Sequence, residues 1–150
     1  MDEIRIDFVS HGNLDDVLVL FDAQLREHQM APGTKALREA IRTVISDARY
    51  GFMLLAAGPR EGAVGVAYAS SLLSFEHGGV SGWLEELYVT PPWRGHGIGS
   101  RLLEKVIGTA KELGWRAIDL EVDAEHGRAI PLYVRHDFRP HSRSRFYLRL

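Results

Sequence analysis

The chain has 150 residues, 45% hydrophobic and 25% charged, with a net charge of −2 and an isoelectric point near 6.4. Those values fit one globular domain over residues 1–150 with a single real core, and they exclude a disordered chain. The lack of a basic balance argues against nucleic acid as a partner. The chain has no cysteine, which removes disulfides, thiolate metal sites and Cys-acyl chemistry and suits a reducing, cytoplasmic compartment. No apolar run nears the roughly 20 residues of a membrane span, and the acidic start Met1-Asp2-Glu3 shows no signal peptide.

In chain order, Ile4–Val9 alternates and reads as a strand. Asn13 is placed to cap a helix whose apolar face is Leu14, Val17, Leu18, Phe21 and Leu25, with Asp15 and Asp16 in its first turn. Thr34 is placed to cap a second helix with the stripe Leu37, Ala40, Ile41, Val44 and Ile45. Phe52–Ala57 is a continuous apolar run, hence a buried strand, and the turn 58–62 returns the chain into a strand over Ala63–Leu73. After a turn at 77–79, Gly82–Val89 reads as another strand, stopped by Pro91-Pro92. A strong helix follows, with Ile98, Leu102, Leu103, Val106, Ile107 and Ala110 on one face and Gly114 as its cap. Ala117–Val122 alternates as a strand, Ala129–Val134 reads as a short helix with Pro131 in its first turn, and Phe146, Tyr147 and Leu148 are strand-like. Adjacent strands joined by short turns imply antiparallel pairing, and two strands flanking a helix imply a parallel crossover. The fold expected is mixed α+β around one sheet.

Between a strand and a helix lies Arg94-Gly95-His96-Gly97-Ile98-Gly99-Ser100. Glycines let successive backbone N–H groups converge, and a helix start adds free N–H groups and a positive dipole end. The segment is therefore a candidate cradle for phosphate. It is not a P-loop, because Gly99-Ser100-Arg101 lacks the lysine. It fits a dinucleotide fingerprint only partly, because Ser100 stands where the third glycine belongs and the repeated βαβ units are missing.

The longer stretch Leu84–Leu103 resembles the acetyl-CoA-binding motif of the GNAT superfamily of N-acetyltransferases, whose R/Q-x-x-G-x-G/A pattern appears as Arg94, Gly97 and Gly99. Residues 129–138 resemble that family's next motif, with Ala129, Leu132 and Tyr133 matching, His126 in place of an Asn and Asp137 in place of a Gly. The resemblance implies a mixed, mostly antiparallel sheet with one splayed parallel strand pair. It implies that the pyrophosphate of coenzyme A sits on the N–H groups of Gly95, His96, Gly97, Ile98, Gly99 and Ser100, near Arg94, with His126 also on the cofactor. The pantetheine arm would run along Leu87, Tyr88 and Val89, and a homodimer would be in keeping with the family.

Making an amide from an amine and a thioester requires removing the ammonium proton, stabilising an oxyanion and protonating the departing thiolate. Glu85 and Glu86 are the candidate proton acceptors. On a regular strand they point to opposite faces, Glu85 with Trp83, Leu87 and Val89, and Glu86 with Leu84 and Tyr88. The resemblance favours Glu85, with Glu86 in reserve. Tyr133 is the candidate acid, since a phenol stays protonated at neutral pH. The seven His show no pair at metal spacing, so no metal is expected, and His136 and His141 read as surface. Seven acids stand in residues 1–30 against Arg5 and Arg26, which points to a cationic acceptor if those acids line the acceptor mouth. The reading is acetyl transfer from acetyl-CoA to a small-molecule primary amine in a ternary complex. Acetylation of a protein N-terminus or lysine, and a non-catalytic CoA-binding module, are the alternatives.

Overall fold

The computed structural model describes residues 3–150. In order these form β1 (Arg5–Phe8), α1 (Leu14–Glu27), α2 (Thr34–Ser46), β2 (Phe52–Gly58), β3 (Gly62–Ser74), β4 (Gly79–Val89), α3 (Ile98–Glu112), β5 (Ile118–Asp119) and α4 (Ile130–Arg135). The five strands make one sheet in the order β1-β2-β3-β4-β5, with every pair antiparallel except β4–β5, which is parallel. The connection from β4 to β5 runs through α3, as a parallel crossover requires.

Helices cover both faces of the sheet, which is why β2 reads as a continuous apolar run. On one face Ile98, Leu102, Leu103 and Val106 of α3 pack on Leu54, Ala56, Val64, Ala67, Ala69 and Leu84. On the other, Val17, Leu18 and Phe21 of α1 and Ile41 of α2 pack on Met53, Leu55, Val66 and Tyr88.

Several elements differ from their sequence reading. Asn13 occupies the N-cap of α1 but makes no cap bond. Its Oδ1 instead accepts from the Ser10 N–H at 2.8 Å and closes a 3₁₀ turn over His11–Asn13. The N-cap of α2 is Gly33, and Thr34 is already helical. The strand expected over 117–122 is only two residues long, with Gly82 opposite Ile118 and Trp83 opposite Asp119. Pairing stops there because β4 carries a bulge: Tyr68 faces Glu86 and Ala69 faces Leu84, so Glu85 has no partner on β3. An extra residue bends its strand and raises its twist, which turns β4 away from β5. The tail forms no strand either. Phe146, Tyr147 and Leu148 are 91%, 76% and 83% exposed, because so short a β5 offers no ladder to extend. Ion pairs hold the tail instead, Arg143 to Glu76 at 2.6 Å and Arg145 to Glu121 at 2.7 Å.

Candidate active site

Where β4 and β5 part, a cleft of about 460 Å³ opens, walled by Leu84–Val89, Arg94, residues 121–123, His126, Tyr133 and the end of α1. A second cavity of about 370 Å³ lies between α1, α2 and the sheet, lined by Phe21, Leu37, Ile41, Val44, Met53, Tyr50 and Tyr68. Leu25, Glu85 and Glu86 line both spaces. The two glutamates therefore stand at the junction of a long cleft and an apolar pocket.

The bulge at Glu85 brings them there and corrects the opposite-faces expectation. Before the bulge Leu84 packs with α3, whereas beyond it Leu87 and Val89 take that side and Tyr88 packs with α1. Alternation is broken at Glu85, so its neighbour keeps company with it. Glu85 is exposed and accepts a hydrogen bond from the Ser70 hydroxyl at 3.0 Å. Glu86 is largely buried. Burial first, then the charges of Glu85 and Glu121, push its carboxyl up from 4.5 to about 7. Tyr133 also faces the cleft, and burial followed by the Glu86 charge pushes its phenol up to about 12. It is edge-on to Phe138, with centroids 5.7 Å apart, and α4 takes Pro131 in its first turn as anticipated.

At the far end of β4, the glycine loop enters α3. Gly95 and Gly97 both hold a φ of +78°, and Gly97 is the N-cap of α3 without any side-chain cap. The first amides of that helix are thus left for another acceptor. A Cβ at either position would meet nothing within 4 Å, so the space over the loop is open. Fixed, unshielded N–H groups beside an Arg fit an anionic group such as pyrophosphate. Arg94 is pinned over this end: its Nε donates to the Val89 carbonyl at 2.9 Å, and its Nη2 pairs with Glu27 at 3.2 Å.

Some residues on the expected cofactor surface have other duties for their side chains. Ile98 is 3% exposed and packs in the α3 core, so only its backbone is available. His96 turns its Nδ1 to the Arg94 carbonyl at 3.0 Å. Ser100 donates to Glu104 and contacts His136, while His136 bonds the Leu132 carbonyl at 2.8 Å. His136 is therefore a half-buried tie between α3 and α4 rather than a surface residue. The Leu87 carbonyl accepts from Gln24 Nε2 at 3.4 Å. Beyond Trp83, β4 has no strand on its β5 side, so residues 84–89 line the cleft with an unladdered edge.

Residues 16–138 match the acetyltransferase (GNAT) family. The chain belongs to the GNAT family of acetyltransferases. Thialysine N-epsilon-acetyltransferase of Bos taurus is 28% identical over 137 residues, covering 87% of this chain and 81% of that protein. An uncharacterised N-acetyltransferase of Methanocaldococcus jannaschii is 37% identical over 67 residues, covering 45% of this chain but only 30% of that relative. Among solved structures, the aminoglycoside N-acetyltransferase AAC(6')-Iy in complex with CoA superposes with a TM-score of 0.85 over 99% of this chain and 96% of that one. At 18% identity, that likeness is one of fold. The GNAT architecture, with its splayed parallel pair, is the one the sequence implied. No helix among the described residues is long and apolar enough to cross a membrane.

Sequence reasoning missed Gln24, Asp123 and Arg145, all of which line the cleft of this GNAT chain. One signal was available. Gln24 falls three residues after Phe21 on the apolar stripe of α1 and is 6% exposed, a polar residue where a core residue belongs. Its Oε1 finds no hydrogen-bond partner among the described residues. The acids of α1 are largely neutralised: Asp22 pairs with Arg26, Asp15 with Arg38 and Glu27 with Arg94. The carboxylates left at the pocket mouth are Glu85 and Glu86.

Proposed function

We propose that the protein transfers the acetyl group of acetyl-CoA to a primary amine of a small molecule, with both substrates bound at once. The observation that carries this reading is the junction: two spaces meet at one pair of carboxylates. The cleft, which reaches Arg94 at the start of the glycine loop, is suited to the cofactor. The pocket under α1 and α2 is suited to the acceptor, its apolar walls taking a carbon skeleton and its mouth an ammonium. The curated relative with the longer match is named for acetylating an amine of a small molecule, and the fold neighbour for acetylating an aminoglycoside, which supports the same class here.

In this reading the ammonium is drawn to Glu85 and Glu86 and loses its proton to the pair. Glu86, held near 7, is neither too weak nor too strong a base for work at neutral pH. The amine nitrogen then bonds the thioester carbon, and the carbon–sulfur bond breaks after a tetrahedral oxyanion. A backbone N–H near Val89 serves that oxyanion. Tyr133, fully protonated at neutral pH, donates to the leaving sulfur and is recharged from solvent. Arg94 and the amides of residues 95–100 hold the pyrophosphate. Glu27 must release Arg94 for this, so the ion pair serves as a placeholder for the anion. A panel of amines assayed for CoA release tests the reading. Turnover with a small primary amine is the expected result, and turnover only with peptides or proteins would replace the acceptor class. Binding of acetyl-CoA without turnover of any amine would make the chain a CoA-binding module.

A further inference from the structure

His28, Asp123 and His126 come together at the mouth of the cleft, although 95 residues separate His28 from Asp123. His28 is the C-cap residue of α1, and Asp123 is the N-cap of the 3₁₀ turn Ala124–Ala129 that follows β5. The Glu125 N–H donates to Asp123 Oδ1 at 2.7 Å. That bond fixes the carboxylate and turns Oδ2 toward both imidazoles, 2.9 Å from His28 Nδ1 and 3.1 Å from His126 Nδ1. The two rings stack with centroids 4.4 Å apart and planes 24° from parallel. His126 reaches this position through a non-helical φ of −110° and ψ of 24° inside its turn.

Three donor atoms, two imidazole nitrogens and one carboxylate oxygen, lie within 4.8 Å of one another. Bonds of about 2.0–2.2 Å to a tetrahedral or octahedral cation set neighbouring donors about 2.8–3.6 Å apart. The two nitrogen–oxygen separations fall inside that window. An N₂O set suits a borderline transition cation rather than calcium or magnesium, which take oxygen ligands. The Glu125 amide supplies the outer bond that such ligating carboxylates use for orientation. All three side chains keep partial solvent access, from 24% to 43% exposure, so an ion can enter from the cleft.

We propose that His28, Asp123 and His126 bind one divalent cation of the zinc class, clamping the end of α1 to the β5–α4 turn across the mouth of the cleft. Each ligating imidazole must shed a proton from Nδ1 or carry it on Nε2, so the cation replaces the two hydrogen bonds to Asp123 Oδ2 with three coordinate bonds. The remaining positions of the cation face the cleft and take water.

The test is titration of zinc chloride into tag-free, chelator-treated full-length protein by calorimetry, paired with thermal unfolding. One saturable site per chain and a raised Tm are expected. His28→Ala and His126→Ala are each expected to weaken binding by about 100-fold or more, since loss of even an outer-shell partner costs about 10–100-fold. Asp123→Asn, which keeps the side chain's shape and its bond to the Glu125 amide, guards against misfolding and is expected to weaken binding as well. His141→Ala should leave it unchanged. Cobalt(II) added in place of zinc should give visible absorption bands that both His variants alter. Absence of a saturable site, or a site that survives both His substitutions, would overturn the proposal.

Discussion

Glu86 is a largely buried carboxylate near two other acids, and its proton affinity follows from that arrangement. Burial and the charges of Glu85 and Glu121 favour the neutral form up to about pH 7. The acidic limb of the kcat/KM profile is expected to centre near that value. Glu86→Gln should abolish the limb. Glu85→Gln should move it to lower pH, because a neighbouring negative charge that raises Glu86 has gone. A limb lost in Glu85→Gln and kept in Glu86→Gln would give the base role to Glu85. The same group links stability to pH. Folded Glu86 keeps its proton to about pH 7, whereas in the unfolded chain it loses it near 4.5. Between these values the folded state holds more protons, so stability falls as pH rises, by about 3 kcal/mol in total. Glu86→Gln should therefore raise Tm at pH 8 and leave it near wild type at pH 4, a difference that thermal scans at the two pH values will read. Tyr133→Phe should lower kcat by about 10²–10⁴-fold while calorimetry shows acetyl-CoA bound nearly as before; an unchanged kcat with chemistry limiting would remove it from the acid role.

Elements place these side chains through two local irregularities. One is the bulge in β4, which both ends the pairing with β5 and brings Glu85 and Glu86 to one junction. The other is the left-handed entry into α3 at Gly97. A substitution there meets open space, so the cost to the fold is the backbone conformation alone, about 1–2 kcal/mol. The same side chain would stand over the amides offered to pyrophosphate. Gly97→Val is thus expected to leave a folded protein that no longer binds acetyl-CoA in calorimetry. Wild-type binding by the folded variant would refute the cradle. At the start of the parallel pair the constraint is packing instead. A Cβ on Gly82 would lie 2.2 Å from the Trp115 ring, which itself packs on Phe52 at 5.4 Å. Gly82→Ala should force the indole to shift and cost about 1–3 kcal/mol in chemical unfolding.

At the level of the whole molecule, one sheet separates two apolar layers, and the candidate cleft lies where the sheet fails to continue. Leu102 is fully buried in the α3 layer and Val17 in the α1 layer. Leu102→Ala should cost about 2–5 kcal/mol. Because β2 and β3 supply residues to both layers, the loss should appear as one cooperative transition in urea, monitored by tryptophan fluorescence and far-UV circular dichroism together. Separate transitions by the two probes would mean that the layers unfold independently.

Local regularities determined much of this protein from its sequence. Apolar spacing located the five strands and the three long helices, because burial on a helix or strand imposes its period on the side chains nearby in the chain. The Arg94–Ser100 loop was legible as a candidate cradle for a related reason: a phosphate cradle is built from consecutive backbone amides and needs glycines at fixed local positions. Tyr133 and the glutamate pair were legible as candidates, through the motifs around them, and all three line the cleft. Their arrangement was not. Only pairing with β3 reveals that Glu85 is the bulged residue, and only the stack of α1 on the sheet brings Gln24 to the Leu87 carbonyl and Glu27 to Arg94. Asp123 and His126 share a turn, but their partner His28 lies 95 residues from Asp123. The tail kept its strand-like composition without becoming a strand, since a ladder needs a second edge and β5 is too short to supply one. Periodicity records which side of its own element a residue faces. Contacts between elements depend on how the sheet twists and where it stops, and these were decided by the tertiary structure.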